Sequence, residues 1–245
     1  MFFYILRRIT LLVITLLVLT MGAYLLEFRL IGQVLDFWHG YPDFLQRIAI
    51  GDFGLSSVSG LPVLDEIRNY FPATLTLCLA AFAISLRVGI PLGTLAALSQ
   101  GRGLDLSIMA AGLIGYAVPV FWLALLMVMF FSLDLGWLPS SGQISLLYDV
   151  PSITGIAIVD VLMSQEPWRE AALHDALRHL VLPSLVLAVV PTTEVIRHVR
   201  SSLIDVMKQN YIKAAASRGL SRRQIVWRHG LKNALPPVLP LLGLQ

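Results

Sequence analysis

Long apolar runs separated by short polar segments dominate the pattern of the chain. A helix needs about 20 mainly apolar residues to cross the hydrocarbon core of a bilayer. Four runs approach that length, so we predict transmembrane spans over 9–26, 73–98, 108–133 and 180–196. A fifth apolar run, 234–245, reaches only about half a span. The pattern predicts an all-α polytopic helical bundle with four full transmembrane helices and a truncated fifth.

The two ends of this pattern raise separate questions. We expect the first apolar run to be a retained helix and not a cleaved signal, because the following residues, EFRLIGQV, contain no small-residue cleavage site. The half-length fifth run is compatible with a natural truncation or with a fragment, and we favour a fragment or an interrupted gene. Residues 153–163 are apolar but too short to span, so we expect them to be interfacial or packed against other helices.

Composition supports the membrane class. Hydrophobic residues make up 57% of the 245 residues and charged residues 13%, whereas soluble domains carry about 25% charged residues. The single cysteine, Cys78, lies in an apolar run and excludes a disulfide framework or a thiolate metal site within one chain. We therefore expect no metal site.

The distribution of charge predicts the orientation. If the N-terminus is cytoplasmic, Arg and Lys are in excess in the internal segments, and Asp and Glu in the external ones. This segregation follows the positive-inside rule and places the basic residues after span 180–196 in the cytoplasm. The basic charge is then a topology signal first, so nucleic acid is not the expected partner.

Two charged residues fall within the predicted spans, Arg87 and Glu194. A charge in a membrane helix costs about 3 kcal/mol on insertion scales, so each is expected to face protein or water. Both are candidates for intramembrane charges on a translocation path. The alternatives are that Arg87 snorkels or pairs, and that Glu194 lies near the cytoplasmic interface. We favour the interface for Glu194, leave Arg87 open, and treat a direct Arg87–Glu194 pair as a hypothesis.

The cytoplasmic stretch YIKAAASRGLSRRQ has local signals for two helices. Residues 210–218 are rich in alanine and compatible with a helix. Gly219 then fits the position after a helix end where a left-handed backbone favours glycine. Ser221 and Gln224 have the spacing of a capping box, which predicts a second helix through about Leu231. We expect a helix, a glycine turn and a helix along the cytoplasmic face.

Small side chains in this stretch indicate a docking surface, because they let another backbone approach closely. The alternative is an amphipathic helix that lies among anionic lipid headgroups. Lipid binding explains the cations and Trp227, but it does not explain three consecutive alanines followed by glycine. We therefore favour docking on a partner protein and keep membrane lipids as a further partner.

The longer stretch YIKAAASRGLSRRQIVWRHGLKNALPPVLP resembles the cytoplasmic EAA loop of binding-protein-dependent ABC transporter permeases. It has the form found in the peptide/nickel subfamily, in which a basic residue, here Lys213, usually replaces the glutamate. The segments GDFGLS, FPATLTLCLAAFAI, VPVFWLALLMVMFF and LGWLPSSG resemble other parts of the same family. The resemblance covers essentially the whole chain.

The resemblance implies the fold of a type I ABC importer permease in the bacterial inner membrane. Residues 1–70 would form an N-terminal transmembrane helix and a periplasmic segment, and residues 71–245 a permease domain that is C-terminally incomplete. The implied partners are a second, homologous permease, two cytoplasmic ATPase subunits and a periplasmic substrate-binding protein. The implied cargo is peptide, short or antimicrobial. A polyamine such as putrescine is the alternative cargo, and a lipid-binding membrane scaffold is the alternative function.

The resemblance also implies roles for particular residues. The ATPase would dock on a coupling helix and its turn, formed by Lys213, Ala214, Ala215, Ala216, Gly219, Leu220 and Ser221. The sequence contains no G-x-x-x-x-G-K-[ST] motif, so we expect ATP to bind to the partner subunits and no cofactor to this chain. His174, Asp175 and His179 lie outside the spans without a nucleophile or metal constellation, so we expect no catalytic residues and no enzyme activity.

Overall fold

Helices make up most of the computed structural model, which describes residues 2–31 and 37–238. Within those residues there is no β-strand, and one isolated β-bridge pairs Leu55 with Pro62. The prediction of an all-α fold is confirmed. The helices are α1 (Phe2–Ile31), α2 (Phe37–Ala49), α3 (Val63–Leu98), α4 (Gly103–Ala117), α5 (Val120–Met127), α6 (Ala157–Met163), α7 (Arg169–Met207), α8 (Asn210–Ser217), α9 (Arg222–Gln224) and α10 (Leu231–Ala234). Two π-helices, Val128–Asp134 and Ile225–Gly230, follow α5 and α9.

Three described helices are long and apolar enough to cross a membrane: Phe3–Glu27 of α1, the whole of α3 and the whole of α7. They contain the predicted spans 9–26, 73–98 and 180–196. The last of these is part of one continuous 39-residue helix, which runs through Pro183 and Pro191 without a break. Of the predicted partial span 234–245, residues 239–245 lie outside the described residues.

The predicted span 108–133 is divided between two helices. The helices Gly103–Ala117 and Val120–Asp134 are apolar enough together to enter a membrane and meet at an angle of 96°, as in a broken span or a re-entrant loop. Val118 and Pro119 separate them with extended backbone, at ψ 125° and 130°. Proline disfavours a helical conformation in the residue before it and has no N–H to continue the ladder, which explains the break.

Internal contacts divide the chain into two units, residues 1–69 and 70–245. In the first unit, aromatic side chains join α1 to α2. The Tyr24 ring lies 5.2 Å from the Phe44 ring and 5.7 Å from the Tyr41 ring, centroid to centroid. Arg47 of α2 also forms an ion pair with Glu27 of α1 at 3.1 Å.

In the second unit, the core follows the C-terminal half of α7. The side chains of Val195, Val199 and Leu203 are completely buried and pack with Leu231 and Ala234. A core around one long helix requires the neighbouring helices to come close to it. Residues 153–163, expected to be interfacial or packed, contain α6, which contacts α7.

Glycines on α3 and α4 provide the close approach to α7. A Cβ at Gly89 would lie 2.6 Å from Val195, and one at Gly93 would lie 2.8 Å from the Ile196 carbonyl oxygen. On α4, a Cβ at Gly112 or Gly115 would lie about 3 Å from Thr193 or Val189. Small residues at such spacings let membrane helices pack closely, so α7 is held between two glycine-bearing faces.

We expect Gly93→Val to destabilise the packing of α3 on α7. The added side chain meets backbone of α7, which cannot rotate away, and overpacking of this kind costs about 1–3 kcal/mol. The measurement is the midpoint of thermal unfolding of the purified protein in detergent. Gly22→Val in α1 is the matched control, because a Cβ there meets nothing within 4 Å. Equal midpoints for the two variants would contradict the packing described.

Candidate functional site

The turn after α8 has the predicted glycine geometry. α8 ends at Ser217, Arg218 is its C-terminal cap, and Gly219 has φ +81°. The Gly219 N–H donates to the Ala216 carbonyl oxygen at 3.0 Å. A left-handed residue after a helix is cheap only for glycine, so Gly219 fixes where the chain leaves α8.

The predicted capping box is confirmed. The Gln224 N–H donates to Ser221 Oγ at 3.3 Å, and the Ser221 N–H donates to Gln224 Oε1 at 3.0 Å. These two bonds satisfy donors that the start of a helix leaves free. Helical structure then continues through α9, the π-helix and α10 to Ala234. We refer to α8, this turn and the helices that follow as the 210–234 segment.

Burial divides the residues predicted for docking into two groups. Lys213, Ala214, Ala216, Gly219 and Ser221 are exposed. Ala215 is 8% exposed and packs with Ile212 and Ile225, and Leu220 is partly buried against the same cluster. Residues three apart share one face of a helix, so Ala215 follows Ile212 inward.

The 210–234 segment is mounted on the last turns of α7. Val206 and Met207 pack against its buried cluster, and the Ser202 hydroxyl donates to the Ala234 carbonyl oxygen at 2.8 Å. A Cβ at Gly230 would lie 3.0 Å from Leu203 Cδ1, so only glycine lets the π-helix approach α7 without displacing that side chain. The segment and the end of α7 therefore form one packed body.

An ion pair that no sequence pattern predicted joins α4 to α7. Arg200 Nε and Nη2 donate to the two carboxylate oxygens of Asp105 at 2.6 and 2.7 Å. Asp105 is 2% exposed and also accepts the Gly101 N–H at 2.9 Å. A bidentate arginine–carboxylate pair is among the stronger side-chain contacts in proteins. The available signal was an acid, Asp105, in the short predicted cytoplasmic segment 99–107, where Arg102 is the only basic residue.

The two intramembrane charges do not meet. Glu194 is partly buried, forms an ion pair with Arg197 one turn later and lies 3.5 Å from His198 Nε2. Arg87 is exposed, and within the described residues no hydrogen bond or ion pair involves its side chain. The hypothesis of a direct Arg87–Glu194 pair is therefore wrong. Glutamate finds a nearer partner because α7 places Arg197 on the same face.

His179, one of the two histidines considered for enzyme chemistry, makes contacts within its own helix. His179 Nδ1 lies 2.9 Å from the Asp175 carbonyl oxygen, and the Asp175 carboxylate accepts the Ser145 N–H at 2.7 Å. His179 also lines a largely apolar cavity of about 360 Å³, together with Gln143 and Ala73. Within residues 2–31 and 37–238, no three His, Cys, Asp or Glu side chains come together as a group that could hold a metal ion.

We expect Ala215→Leu to destabilise the 210–234 segment and Ala216→Leu to leave its stability unchanged. Ala215 faces the cluster of Ile212 and Ile225, where a larger side chain costs about 1–3 kcal/mol. Ala216 is exposed and supplies the matched control. The measurement is limited proteolysis of the purified protein at the 210–234 segment. Faster cleavage of Ala216→Leu than of Ala215→Leu would contradict the burial pattern.

A helical membrane protein with a basic helix–turn–helix segment mounted on a long apolar helix is the class that this geometry defines. The family model described as binding-protein-dependent transport system inner membrane component matches residues 89–245. The chain belongs to this family of membrane transport components. The match includes α4, α5, α7 and the 210–234 segment.

Curated relatives match over most or all of the chain. The chain is 47% identical over 248 residues to the putrescine export system permease protein SapB of Escherichia coli K12, covering 100% of this chain and 77% of the relative. It is 48% identical, with the same coverage, to the peptide transport system permease protein SapB of Salmonella typhimurium. It is 40% identical to the di/tripeptide transport system permease protein DppB of Pseudomonas aeruginosa, over 84% of this chain and 60% of the relative.

These relatives also bear on a narrower resemblance in the sequence. Residues 146–160, LLYDVPSITGIAIVD, and 191–202, PTTEVIRHVRSS, resemble the Sap permeases. The matches to two SapB proteins, which span this whole chain and 77% of each relative, confirm the resemblance to permeases of this type. The relatives are transport permeases, which agrees with a transport role for this family member.

Proposed function

We propose that this chain is a permease subunit of an ABC transporter that carries peptides across the bacterial inner membrane, and that α8 and its turn dock on an ATPase subunit. The observation that carries docking is the exposure of Ala214 and Ala216, on either side of the buried Ala215, and of Gly219, on a segment packed against α7. The printed names of the Salmonella and Pseudomonas relatives support peptide as the cargo.

The exposed face has the properties of a docking element. Ala214 and Ala216 present small side chains beside a turn whose geometry Gly219 and the capping box fix. Lys213 and Ser221 add exposed polar groups to the outward side of α8 and to the turn. Ala215 and Leu220 lie on the inward side and pack α8 against the following helices. A preorganised element of this kind loses little entropy on binding a partner groove.

The assembly that this function requires is part of the proposal. The 210–234 segment lies in the cytoplasm, as does the N-terminus, in accordance with the positive-inside rule. A second permease completes the membrane part, two ATPase subunits bind ATP, and a periplasmic binding protein delivers the cargo. Arg87 remains a candidate for the translocation path, because its exposed side chain would face either lipid or a second subunit.

Putrescine is a second candidate cargo. The relative from Escherichia coli K12 is named for putrescine export and is as similar to this chain as the peptide-transport relatives. A lipid-binding scaffold is a weaker alternative, which the exposed Trp227 and its neighbouring arginines would serve.

We expect Ala216→Trp to reduce co-purification of the ATPase by at least about tenfold while membrane insertion stays unchanged. A tryptophan on the docking face prevents close approach, and loss of one central contact of this kind costs 1.4 kcal/mol or more. The measurement is the amount of ATPase retained with the tagged full-length permease. Ser201→Trp on α7 is the matched control at an exposed position outside the segment.

The outcome separates docking from the alternative. Normal ATPase retention by Ala216→Trp would refute the docking proposal. Salt-sensitive binding of the wild-type protein to anionic vesicles, unaffected by Ala216→Trp, together with no ATPase retention, would favour the scaffold.

We expect vesicles containing the complete transporter to move a labelled tripeptide in an ATP-dependent manner. Labelled putrescine is the matched comparison, assayed in inside-out and right-side-out vesicles so that direction is measured too. ATP-dependent movement of putrescine without movement of the tripeptide would refute the peptide cargo.

A further inference from the structure

The turn between α3 and α4 and the helix residues that flank it, together residues 98–105, are contacted by arginines from two other parts of the chain. We propose that Asp105, Arg200 and Arg222 are positioning residues that transmit movement of the 210–234 segment to α4. This inference rests on the proposed function, because it assumes that an ATPase moves the segment. It adds the route by which that movement reaches the bend between α4 and α5.

The contact between Asp105 and Arg200 is the strongest polar contact along this route. Asp105 lies in the first turn of α4, and its two oxygens accept three donors, two from Arg200 and one from Gly101. A buried carboxylate that loses its cation is strongly unfavourable. The pair is therefore expected to stay closed during motion, so that α4 and α7 move together at this end.

The contact from Arg222 starts in the segment itself. Arg222 is the first residue of α9, and its Nη2 donates to the Leu98 carbonyl oxygen at 3.3 Å. Leu98 is the last residue of α3, where carbonyl oxygens have no donor within the helix. A cation there also interacts favourably with the negative end of the helix dipole. The segment thus reaches the same turn without passing through α7.

Further along α4, contacts with α7 continue toward the break. Thr193 Oγ1 donates to the Gly112 carbonyl oxygen at 3.2 Å, and Gly115 lies against Val189. Two turns of α4 are therefore tied to α7 beyond the ion pair. The first point along this path where the backbone leaves the helix is at Val118 and Pro119, where the chain bends by 96°. This is where α5 can change its angle to α4. Movement of α7 and its mounted segment is consequently delivered to this bend.

The test follows a reporter at the far end of α4 in the complete, full-length transporter. Ala117 is exposed and is the last residue of α4. Ala117→Cys is introduced with Cys78→Ser, and its rate of reaction with a maleimide is measured without nucleotide and with ATP plus vanadate. Because coupling between sites changes equilibria by about 5- to 150-fold, we expect the two rates to differ by at least about fivefold in this reference protein.

The variants then interrupt the route. Asp105→Asn and Arg222→Gln should each reduce the difference between the two rates to less than about twofold, while the ATPase still co-purifies and hydrolyses ATP. Arg200→Lys keeps the charge but loses the bidentate fork, so it should retain an intermediate difference. Arg102→Gln is the matched control, since Arg102 is exposed in the same turn and its side chain has no hydrogen bond or ion pair within the described residues.

A merely structural role for these residues would change stability or assembly and leave the nucleotide-dependent difference intact in the folded protein. Retention of the full difference in Asp105→Asn would overturn the inference, as would absence of any difference in the reference protein. If Asp105→Asn does not fold, Arg222→Gln at its exposed position decides in the same way. Failure of the ATPase to co-purify with the reference protein would instead refute docking itself.

Discussion

The close packing of α7 against its neighbours is the constraint on which the second unit depends. Val195, Val199 and Leu203 are completely buried, and glycines on α3 and α4 bring those helices within contact of the α7 backbone. Lipid is as apolar as these side chains, so close van der Waals contact, rather than exclusion of water, holds membrane helices together. The same helix then continues beyond the predicted span and carries the 210–234 segment.

This arrangement explains how a short helix such as α8 can have a defined conformation and position. α8 has only eight residues, and isolated helices of that length are marginal in water. Its order comes from Ile212 and Ala215 packed against Ile225, Val206 and Met207, and from a turn fixed by Gly219 and the capping box. The outward face is then free for a partner, because the stabilising contacts are on the inward face.

Polar contacts determine which residues of neighbouring helices lie opposite each other in this apolar packing. The Asp105–Arg200 pair fixes which part of α4 meets which part of α7, since a buried charge tolerates few other arrangements. Glu194 and Arg197 satisfy each other within one helix and leave Arg87 separate. These contacts all lie within the residues that match the family of binding-protein-dependent transport components, whereas Arg87 lies outside them.

The sequence by itself determined what is local: the apolar runs that became α1, α3 and α7, the glycine turn at Gly219, and the capping box of Ser221 and Gln224. These depend on spacing and backbone preference within a few residues. Only the tertiary structure decided which of three consecutive alanines is buried, that Arg200 rather than a nearer cation pairs with Asp105, and how sharply the chain bends at Val118 and Pro119. Those features depend on residues up to 95 positions apart, and no local pattern specifies which distant side chain will lie opposite.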